Sequence, residues 1–293
     1  MHHEAPVIFG EVLFDHFPDG SRVLGGAPFN VAWHLQALGL PPRLISRIGD
    51  DDNGCEISGL MQQWGMSRDG LQVDRQHPTG SVQVLFKDGE PHYDIVQDRA
   101  YDFIAAAEIS AMPTDGILYH GSLALRNPTA FAALQTVKTR HQGKILLDVN
   151  LRPPWWQRET LIPLLHDADW VKLNQAELQA LCPDYVDLEI AMPNFCQQFD
   201  LQTLVVTLGE QGAIACDQQG KVYSVTPATS MPVVDTVGAG DAFAAVLLLG
   251  LQREWPLEMT LQRAQTLASA LVGRRGATVA ERAFYEVVSR DWS

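Results

Sequence analysis

Basic residues are scarce in this sequence of 293 residues. Lysine and arginine together number 21, against 35 aspartates and glutamates, and the formal net charge at pH 7 is -14. Nucleic acids and anionic membrane surfaces both require a basic surface on the protein that binds them. We therefore expect neither as a partner, and any phosphate-binding site has to be local.

Cysteines are few, and long apolar runs are missing. The four cysteines form no CxxC pair and no cluster with histidine, so we expect no disulfide or metal role for Cys55, Cys182, Cys196 and Cys216. No run reaches the ~18 apolar residues that a membrane span requires. The opening "MHHEAPVIFG" lacks the basic and apolar pattern of a signal peptide. These features predict a reduced, cytoplasmic protein without a membrane segment.

What the chain does contain is a regular alternation of short β-rich runs and helical patterns. Residues 30–39, "NVAWHLQALG", carry apolar residues at helical spacing, and "RLISRIG" follows as a strand. Four more runs are brief, apolar and β-rich, and each precedes a helix-like segment: "GILYHG", "KILLDVN", "ADWVKLN" and "TLVVTLG". This alternation predicts an α/β protein with a parallel sheet and helices on both faces.

One region departs from that alternation. Residues 79–96, "TGSVQVLFKDGEPHYDIV", predict a hairpin turning at Asp88-Gly89. Apolar residues occupy both of its faces, with Val82, Val84 and Phe86 on one and Leu85 on the other. An isolated hairpin cannot bury two faces, so we expect a small sheet that covers a site, a partner subunit or both. The stretch "EVLFDHFPDGSRVL" supplies candidates for its other strands.

The segment "DTVGAGDAFAAVLLLGL", residues 235–251, places small residues directly before a strongly apolar helix. The amides of Gly238, Ala239 and Gly240 can approach a ligand closely, and a helix N-terminus attracts anions. Asp241 would repel such an anion unless it takes a proton from a hydroxyl group that attacks a phosphate. In the alternative interpretation, Asp241 only complements the helix dipole and the glycines form a turn.

Further motifs also allow two interpretations each. "GGAPFN", residues 25–30, suits hydrogen bonding to a polyol or is a glycine turn with Asn30 as the helix cap, and Asp15 either binds sugar hydroxyls or is solvated. "NQAE" holds either a hydrated Mg²⁺ through Asn174 and Glu177 or an ordinary capping box. "TLGEQGA" can approach a nucleotide, whereas "GRRGAT" either closes over its base or places Arg274 and Arg275 on the surface.

The order and separation of these motifs resemble the ribokinase/PfkB family of carbohydrate kinases. "GGAPFNVAWHLQALG" with "RIGDDDNG" resembles the N-terminal signature and "DTVGAGDAFAAVLL" the C-terminal one, and no Walker motif GxxxxGK[ST] is present. The resemblance implies a ribokinase-like three-layer α/β/α fold with a mostly parallel central sheet and a small antiparallel β lid. It also implies a single kinase domain over residues 1–293, with the lid formed by about 11–24 and 77–102.

The resemblance implies a role for each motif. Asp241 would be the catalytic base, and the amides of Gly238, Ala239 and Gly240 the anion hole. The sugar would be held by Asp15, Gly25, Gly26 and Asn30. ATP would contact Asn174, Thr207, Gly209, Gly212, Gly238, Gly240 and Gly276. Glu177 would hold Mg²⁺ through water, and Asp235 with the backbone near Gly276 and Ala277 would form a monovalent-cation site suited to K⁺.

Within the family the chain is most similar to the fructokinase branch, through "GEVLFD", "GGAPFN" and "DVNLRPPWW". The last of these places Arg152 in the wall of the sugar site. "HYDIVQDRAYDFI" lacks the usual arginine-asparagine-proline run, and Arg99 and Arg126 are the remaining candidates for sugar contacts. The resemblance implies ATP-dependent phosphorylation of a primary hydroxyl of a free sugar, with fructose first. The two apolar faces of the lid separately predict a homodimer formed through it, because one face would otherwise be exposed to water. The alternatives are kinases of 2-keto-3-deoxygluconate, ribose or a nucleoside, and a non-catalytic sensor of sugar or nucleotide.

Overall fold

A computed structural model describes residues 4–87, 90–109, 112–185, 187–228 and 233–292. Within these ranges the strands are β1 (Val7–Phe9), β2 (Leu13–His16), β3 (Arg22–Gly25), β4 (Arg43–Gly49), β5 (Leu71–Asp74), β6 (Gly80–Lys87), β7 (Glu90–Ile95), β8 (Leu118–His120), β9 (Ile145–Asp148), β10 (Trp170–Asn174), β11 (Thr203–Thr207), β12 (Ala213–Asp217) and β13 (Val222–Val225). The helices are α1 (Ala27–Ala37), α2 (Asp52–Trp64), α3 (Pro128–Arg140), α4 (Arg158–Asp167), α5 (Gln175–Leu181), α6 (Leu188–Phe199), α7 (Ala239–Gln252), α8 (Leu257–Val272) and α9 (Arg282–Val288).

The larger sheet has the strand order β13-β12-β11-β10-β9-β8-β1-β4-β5. All neighbours from β11 to β5 are parallel, and β12 and β13 extend one edge as antiparallel strands. The runs that predicted strands correspond to β4 and to β8 through β11. The expected mostly parallel sheet is therefore confirmed.

Helices cover both faces of this sheet. Side chains alternate along a strand, so Val7 and Phe9 of β1 pack into one apolar cluster, with residues of α3, α4 and α6. Ile8 points to the other face and packs into a second cluster, with residues of α1, α2, α7 and α8. Two apolar layers on one sheet give the expected three-layer α/β/α arrangement.

The small sheet has the order β3-β2-β6-β7. Each half is an antiparallel pair, as expected, and the halves join through a parallel pairing of β2 with β6. Val82 and Val84 are buried, whereas Leu85 on the opposite face is 45% exposed. The predicted turn at Asp88-Gly89 and the side chain of Phe86 lie outside the described residues. The extents of the domain and of the lid stay predictions.

The carboxyl ends of the parallel strands place polar residues at one edge of the central sheet. Asp148 ends β9, Asn174 ends β10 and Thr207 ends β11. In open α/β sheets this edge is where ligands bind. Among the described helices, none is long and apolar enough to cross a bilayer.

Candidate active site

The first turn of α7 is built around a glycine at a position where any side chain would be strained. Gly238 caps the helix with φ of 78°, in the left-handed region. A Cβ on Gly238 would also lie 2.7 Å from the carbonyl oxygen of Ala277. Because the first amides of a helix have no partner within the helix, this turn presents N–H groups and the positive end of the dipole.

Asp241 is the third residue of α7 and is held by a residue from the other end of the chain. The side-chain amide of Asn30 donates a hydrogen bond to Oδ2 of Asp241 at 2.8 Å, across 211 residues of sequence. Burial raises the pKa of Asp241 to about 6, and the hydrogen bond from Asn30 opposes that rise. A carboxylate with this pKa is a stronger base than an ordinary aspartate and is still mostly ionised at neutral pH.

A buried ion pair lies beneath this helix turn, and the sequence analysis missed it. Nζ of Lys172 donates to both carboxylate oxygens of Asp148, at 3.0 and 2.9 Å, and the hydroxyl of Tyr119 donates to Oδ2 at 3.2 Å. The same Nζ would lie 3.6 Å from a Cβ on Gly240. Burial lowers the pKa of Lys172, but Asp148, Glu177 and Asp241 together outweigh burial, so the pKa is raised. The ammonium group therefore keeps its positive charge beside the first turn of α7. A lysine in the middle of an apolar strand was the signal that could have found it.

The predicted sugar residues line the region between α1 and the small sheet. A Cβ on Gly25 would lie 3.5 Å from Oδ2 of Asp15, and Gly26 caps α1 with φ of 103°. Burial raises the pKa of Asp15 to about 6, and the positive charge of Arg152 opposes the rise. The structure thus brings Asp15, Arg152 and the Gly25-Gly26 turn together.

Glu11 is a further residue near Asp241 that the sequence did not point to. A Cβ on Gly26 would lie 2.7 Å from the backbone oxygen of Glu11. Burial raises the pKa of the Glu11 carboxyl to about 7, and the charges of Arg152 and Asp241 also act on it. Its Oε2 is buried without a hydrogen-bond partner among the described residues. Its position after the first strand, in "GEVLFD", was the available signal.

Arg126 and Arg99 lie on the far side of this region. Arg126 donates to both carboxylate oxygens of Asp102 at 2.8 Å and to the hydroxyl of Tyr101 at 2.9 Å. Its remaining nitrogen, Nη1, and Nε of Arg99 are both buried without a partner among the described residues. Their predicted contacts with a sugar stay predictions, since most donors of Arg126 are engaged within the protein.

The "NQAE" motif forms a capping box. Oδ1 of Asn174 accepts from the amide of Glu177 at 2.9 Å, and Oε2 of Glu177 accepts from the amide of Asn174 at 2.8 Å. Oε1 of Glu177 accepts from the amide of Leu151 at 2.7 Å. Burial raises the pKa of Glu177. The motif therefore forms the capping box that was one of its two interpretations. Each carboxylate oxygen of Glu177 still has a lone pair that can accept a hydrogen bond from water.

Two neighbouring cavities open at the carboxyl edge of the sheet. One has a volume of about 620 Å³ and extends to Gly240 and Phe243 of α7. The other has about 470 Å³ and reaches Asn174. Thr207 and Gly209 line both cavities, and Gly212 lines the first. The cavities together form a cleft from the capping box to the first turn of α7.

Asp235 and Gly276 meet at the other side of that turn. Oδ2 of Asp235 accepts from the amide of Gly276 at 3.0 Å, and Oδ1 accepts from the amide of Val237 at 3.0 Å. Gly276 does not line either cleft cavity. Within the described ranges, no group of three or more His, Cys, Asp or Glu residues is arranged to hold a metal ion directly.

Comparisons with known proteins agree with this architecture. A model of the pfkB family of carbohydrate kinases matches residues 8–283. A fructokinase of Salmonella typhimurium is 31% identical over 295 residues, which cover 93% of this chain and 94% of the relative. The crystal structure of a fructokinase from Vibrio cholerae O395, with fructose, ADP and calcium ion bound, is 26% identical with a TM-score of 0.81, and the match covers 97% and 99% of the two chains. A double mutant of that fructokinase, with fructose, ADP and potassium ion bound, is 24% identical with a TM-score of 0.83, covering 98% and 99%.

A parallel α/β sheet with a polar cleft at its carboxyl edge and a small covering sheet is the ribokinase-like architecture. The chain belongs to the pfkB family of carbohydrate kinases. It is therefore a phosphotransferase that uses an alcohol group as acceptor, with a fructokinase-like sequence over most of its length.

Proposed function

We propose that the protein is an ATP-dependent fructokinase that phosphorylates a primary hydroxyl of fructose. The observation that carries this proposal is the position of Asp241, a carboxyl with a raised pKa in the first turn of α7. Its Oδ2 is held by Asn30, and Oδ1 has no hydrogen bond within the described part of the chain. Two relatives, 31% and 32% identical to this chain, are named fructokinase, which supports fructose as the acceptor.

The chain's own groups divide the reaction between them. Asp241 takes the proton of the attacking hydroxyl as phosphoryl transfer proceeds. The amides of Gly238, Ala239 and Gly240 stabilise the negative charge on the transferring group. Lys172 places an ammonium group beside Gly240, and its pairing with Asp148 leaves the two side chains without a net charge. The cleft lined by Thr207, Gly209 and Gly212 receives the nucleotide.

Two cations complete the proposal. The free lone pairs of Glu177 suit the water shell of Mg²⁺ better than direct ligation, because both its oxygens already accept backbone N–H groups. Mg²⁺ held there with Asn174 would neutralise charge on the phosphates. The carboxylate of Asp235, beside the backbone of Gly276, offers the negative charge that K⁺ requires.

The charges near Asp241 favour a neutral acceptor over a sugar acid. Asp241, Asp15 and Glu11 are all subject to the positive charge of Arg152. Lys172 and Arg126 are already paired with carboxylates. An acceptor carboxylate would therefore meet three acidic groups, and among the described residues Arg152 is the cation whose charge acts on all three. This balance supports fructose, ribose or a nucleoside ahead of 2-keto-3-deoxygluconate.

The test measures ADP release over a panel of acceptors. Fructose, glucose, ribose, adenosine and 2-keto-3-deoxygluconate are each titrated at fixed MgATP, and kcat/KM is compared. We expect fructose to exceed every other member by at least about tenfold. A larger kcat/KM for any other acceptor would replace fructose with that compound.

A non-catalytic sensor remains the alternative of another class. It predicts binding of sugar or nucleotide, seen by calorimetry, with no ADP release for any acceptor. The carboxyl of Asp241 beside helix amides argues against it, because an unpaired negative charge there only weakens binding of a phosphate.

A further inference from the structure

A buried histidine lies close to the proposed anion hole without being part of it. His34 is on α1, one helical turn after Asn30, and its side chain is fully buried. Its Nε2 lies 3.1 Å from the carbonyl oxygen of Ala277. Its Nδ1 lies 2.9 Å from the hydroxyl oxygen of Tyr285. Both ring nitrogens therefore have a partner, as buried polar groups require.

These partners determine the tautomer of His34. A carbonyl oxygen can only accept, so Nε2 carries the proton and donates it to Ala277. The hydroxyl of Tyr285 accepts from the amide of Val279 at 3.4 Å and has its own proton free for Nδ1. Burial lowers the pKa of His34 to about 4, so the ring is neutral at physiological pH.

The segment that His34 holds is residues 276–279, which we name the 276–279 loop. Its two ends are tied as well, because Gly276 donates to Asp235 and the carbonyl of Val279 accepts from Nε1 of Trp33 at 2.9 Å. The middle of the loop abuts the start of α7, since a Cβ on Gly238 would lie 2.6 Å from Cβ of Ala277. A displacement of Ala277 would therefore remove the packing contact that holds Gly238 in place.

We propose that His34 is a positioning residue, which holds the 276–279 loop so that the amides of the proposed anion hole stay in register with Asp241. Helix α1 reaches α7 by two routes, directly from Asn30 to Asp241 and through His34 and Ala277 to Gly238. Asn30 and His34 are one turn apart and lie on the same face of α1, so a single helix positions both contacts. This inference rests on the proposed function.

The test compares two substitutions of His34, each of which retains a polar atom at the position of a different ring nitrogen. His34→Gln keeps an N–H donor at the reach of Nε2, whereas His34→Asn keeps only the atom that faces Tyr285. A small displacement of groups that act on the transition state costs far more in rate than in ligand binding. We expect kcat of His34→Asn to fall at least about tenfold, with KM for the sugar within about threefold of wild type. His34→Gln should stay within about threefold of wild-type kcat.

A measurement of nucleotide binding, which needs no catalytic turnover, makes the test independent of the acceptor. In the proposed function the anion hole contacts the γ-phosphoryl, which ADP lacks. The ratio of the Kd values for ADP and for a β,γ-imido ATP analogue therefore reports the geometry of the anion hole. We expect His34→Asn to lower the preference for the analogue and His34→Gln to retain it. This ratio decides the role of His34 even where no sugar in the panel is phosphorylated.

Leu35→Ala is the matched control. Leu35 is the next residue on α1, is fully buried in the apolar core and has no hydrogen bond to the 276–279 loop. It should lower the thermal midpoint without changing the nucleotide ratio. Equal kcat and equal ratios in His34→Asn and His34→Gln would overturn the proposal, as would a Leu35→Ala variant that reproduces both losses. Where His34→Asn does not fold, Trp33→Phe removes another tether of the loop, and an unchanged ratio there would equally overturn it.

Discussion

At the residue scale, Asp241 gives the most direct test of the proposed chemistry. Asparagine keeps the shape of the side chain and can still pair with Asn30, but it cannot accept the proton of the hydroxyl. We expect Asp241→Asn to lower kcat by about 10²–10⁴, which is ~3–5 kcal/mol of transition-state stabilisation. Nucleotide affinity should stay near wild type or rise, because a negative charge has been removed.

The competing interpretation makes a different prediction for the same variant. An aspartate that only complements a helix dipole contributes about 0.5–1 kcal/mol to folding and nothing to turnover. Thermal midpoint, ATP affinity and kcat should be measured on one preparation. Normal turnover in a folded Asp241→Asn protein would exclude Asp241 as the base.

The raised pKa of Asp241 also predicts the pH dependence of activity. Its pKa is about 6 against an ordinary 3.8, because burial disfavours the charged form. The base works only when deprotonated, so kcat/KM should be constant above about pH 7 and fall tenfold per unit below about pH 6. The measurement is kcat/KM for the acceptor between pH 4.5 and pH 8, which reports the free enzyme.

Asp15 provides the control for that profile, because burial raises its pKa to about 6 as well. In Asp15→Asn the decrease of kcat/KM at acidic pH should remain, and the KM for the sugar should be higher than in the wild type. Loss of the inflection in Asp15→Asn would assign it to Asp15, and a flat wild-type profile down to pH 5 would contradict a perturbed base altogether.

At the scale of the element, the start of α7 depends on a glycine whose replacement can be tested against a matched position. Gly238 and Gly220 have φ of 78° and 79°, but a Cβ on Gly238 meets Ala277, whereas one on Gly220 meets nothing within 4 Å. We expect Gly220→Ala to cost about 1–2 kcal/mol for the left-handed backbone and to leave kcat unchanged. Gly238→Ala should cost about 2–5 kcal/mol, because overpacking adds to that strain.

The activity of Gly238→Ala should fall by at least about 10², because the proposed mechanism has the amides of residues 238–240 stabilise the transferring group. The free energy of unfolding in urea and kcat should be measured for both variants. The first quantity reports the backbone strain, and the second reports whether the start of α7 takes part in the reaction. Equal effects of the two alanines on both quantities would show that Gly238 is only a turn residue.

At the scale of the whole molecule, the scarcity of basic residues predicts a dependence on cations. Among the groups near Asp241, Lys172 and Arg126 are already paired, so few positive charges remain to neutralise a triphosphate. We expect excess EDTA to abolish activity and added Mg²⁺ to restore it. Replacing sodium by potassium should raise the rate, through the carboxylate of Asp235. Full activity in EDTA, or equal rates in the two monovalent salts, would contradict the respective claim.

The small sheet also predicts a homodimer. Leu85 is 45% exposed on one face of this sheet, and Val23 and Tyr93 are 36% and 49% exposed on the opposite face, which carries Asp15 and Val82. A second copy of the chain seated on the Leu85 face would cover that residue. We expect sedimentation at micromolar concentration to show a dimer, and Leu85→Asp to shift it toward monomer by at least about tenfold in Kd.

Val73→Asp is the control for that experiment, because Val73 is 51% exposed on β5 of the larger sheet. It should leave the dimer intact. A wild-type protein that sediments only as a monomer would contradict the predicted assembly.

The sequence by itself determined the alternation of strands and helices and the small residues at the start of α7. Short apolar runs such as "KILLDVN" and "TLVVTLG" became β9 and β11, and the 30–39 pattern fell within and just past α1. Alternation and helical periodicity are properties of adjacent residues, so they can be read along the chain. The small residues around Asp241 likewise predict a helix start that an anion can approach, because backbone freedom and side-chain size are properties of the individual residues.

Tertiary structure alone decided which side chains meet. Asn30 pairs with Asp241 across 211 residues, Lys172 reaches Asp148 on the neighbouring strand, and His34 holds Ala277 from the opposite end of the chain. The burial that raises the pKa of Glu11 depends on the same assembly. These contacts follow from strand order and helix packing, which distant segments determine jointly, and no local pattern in the sequence specifies them.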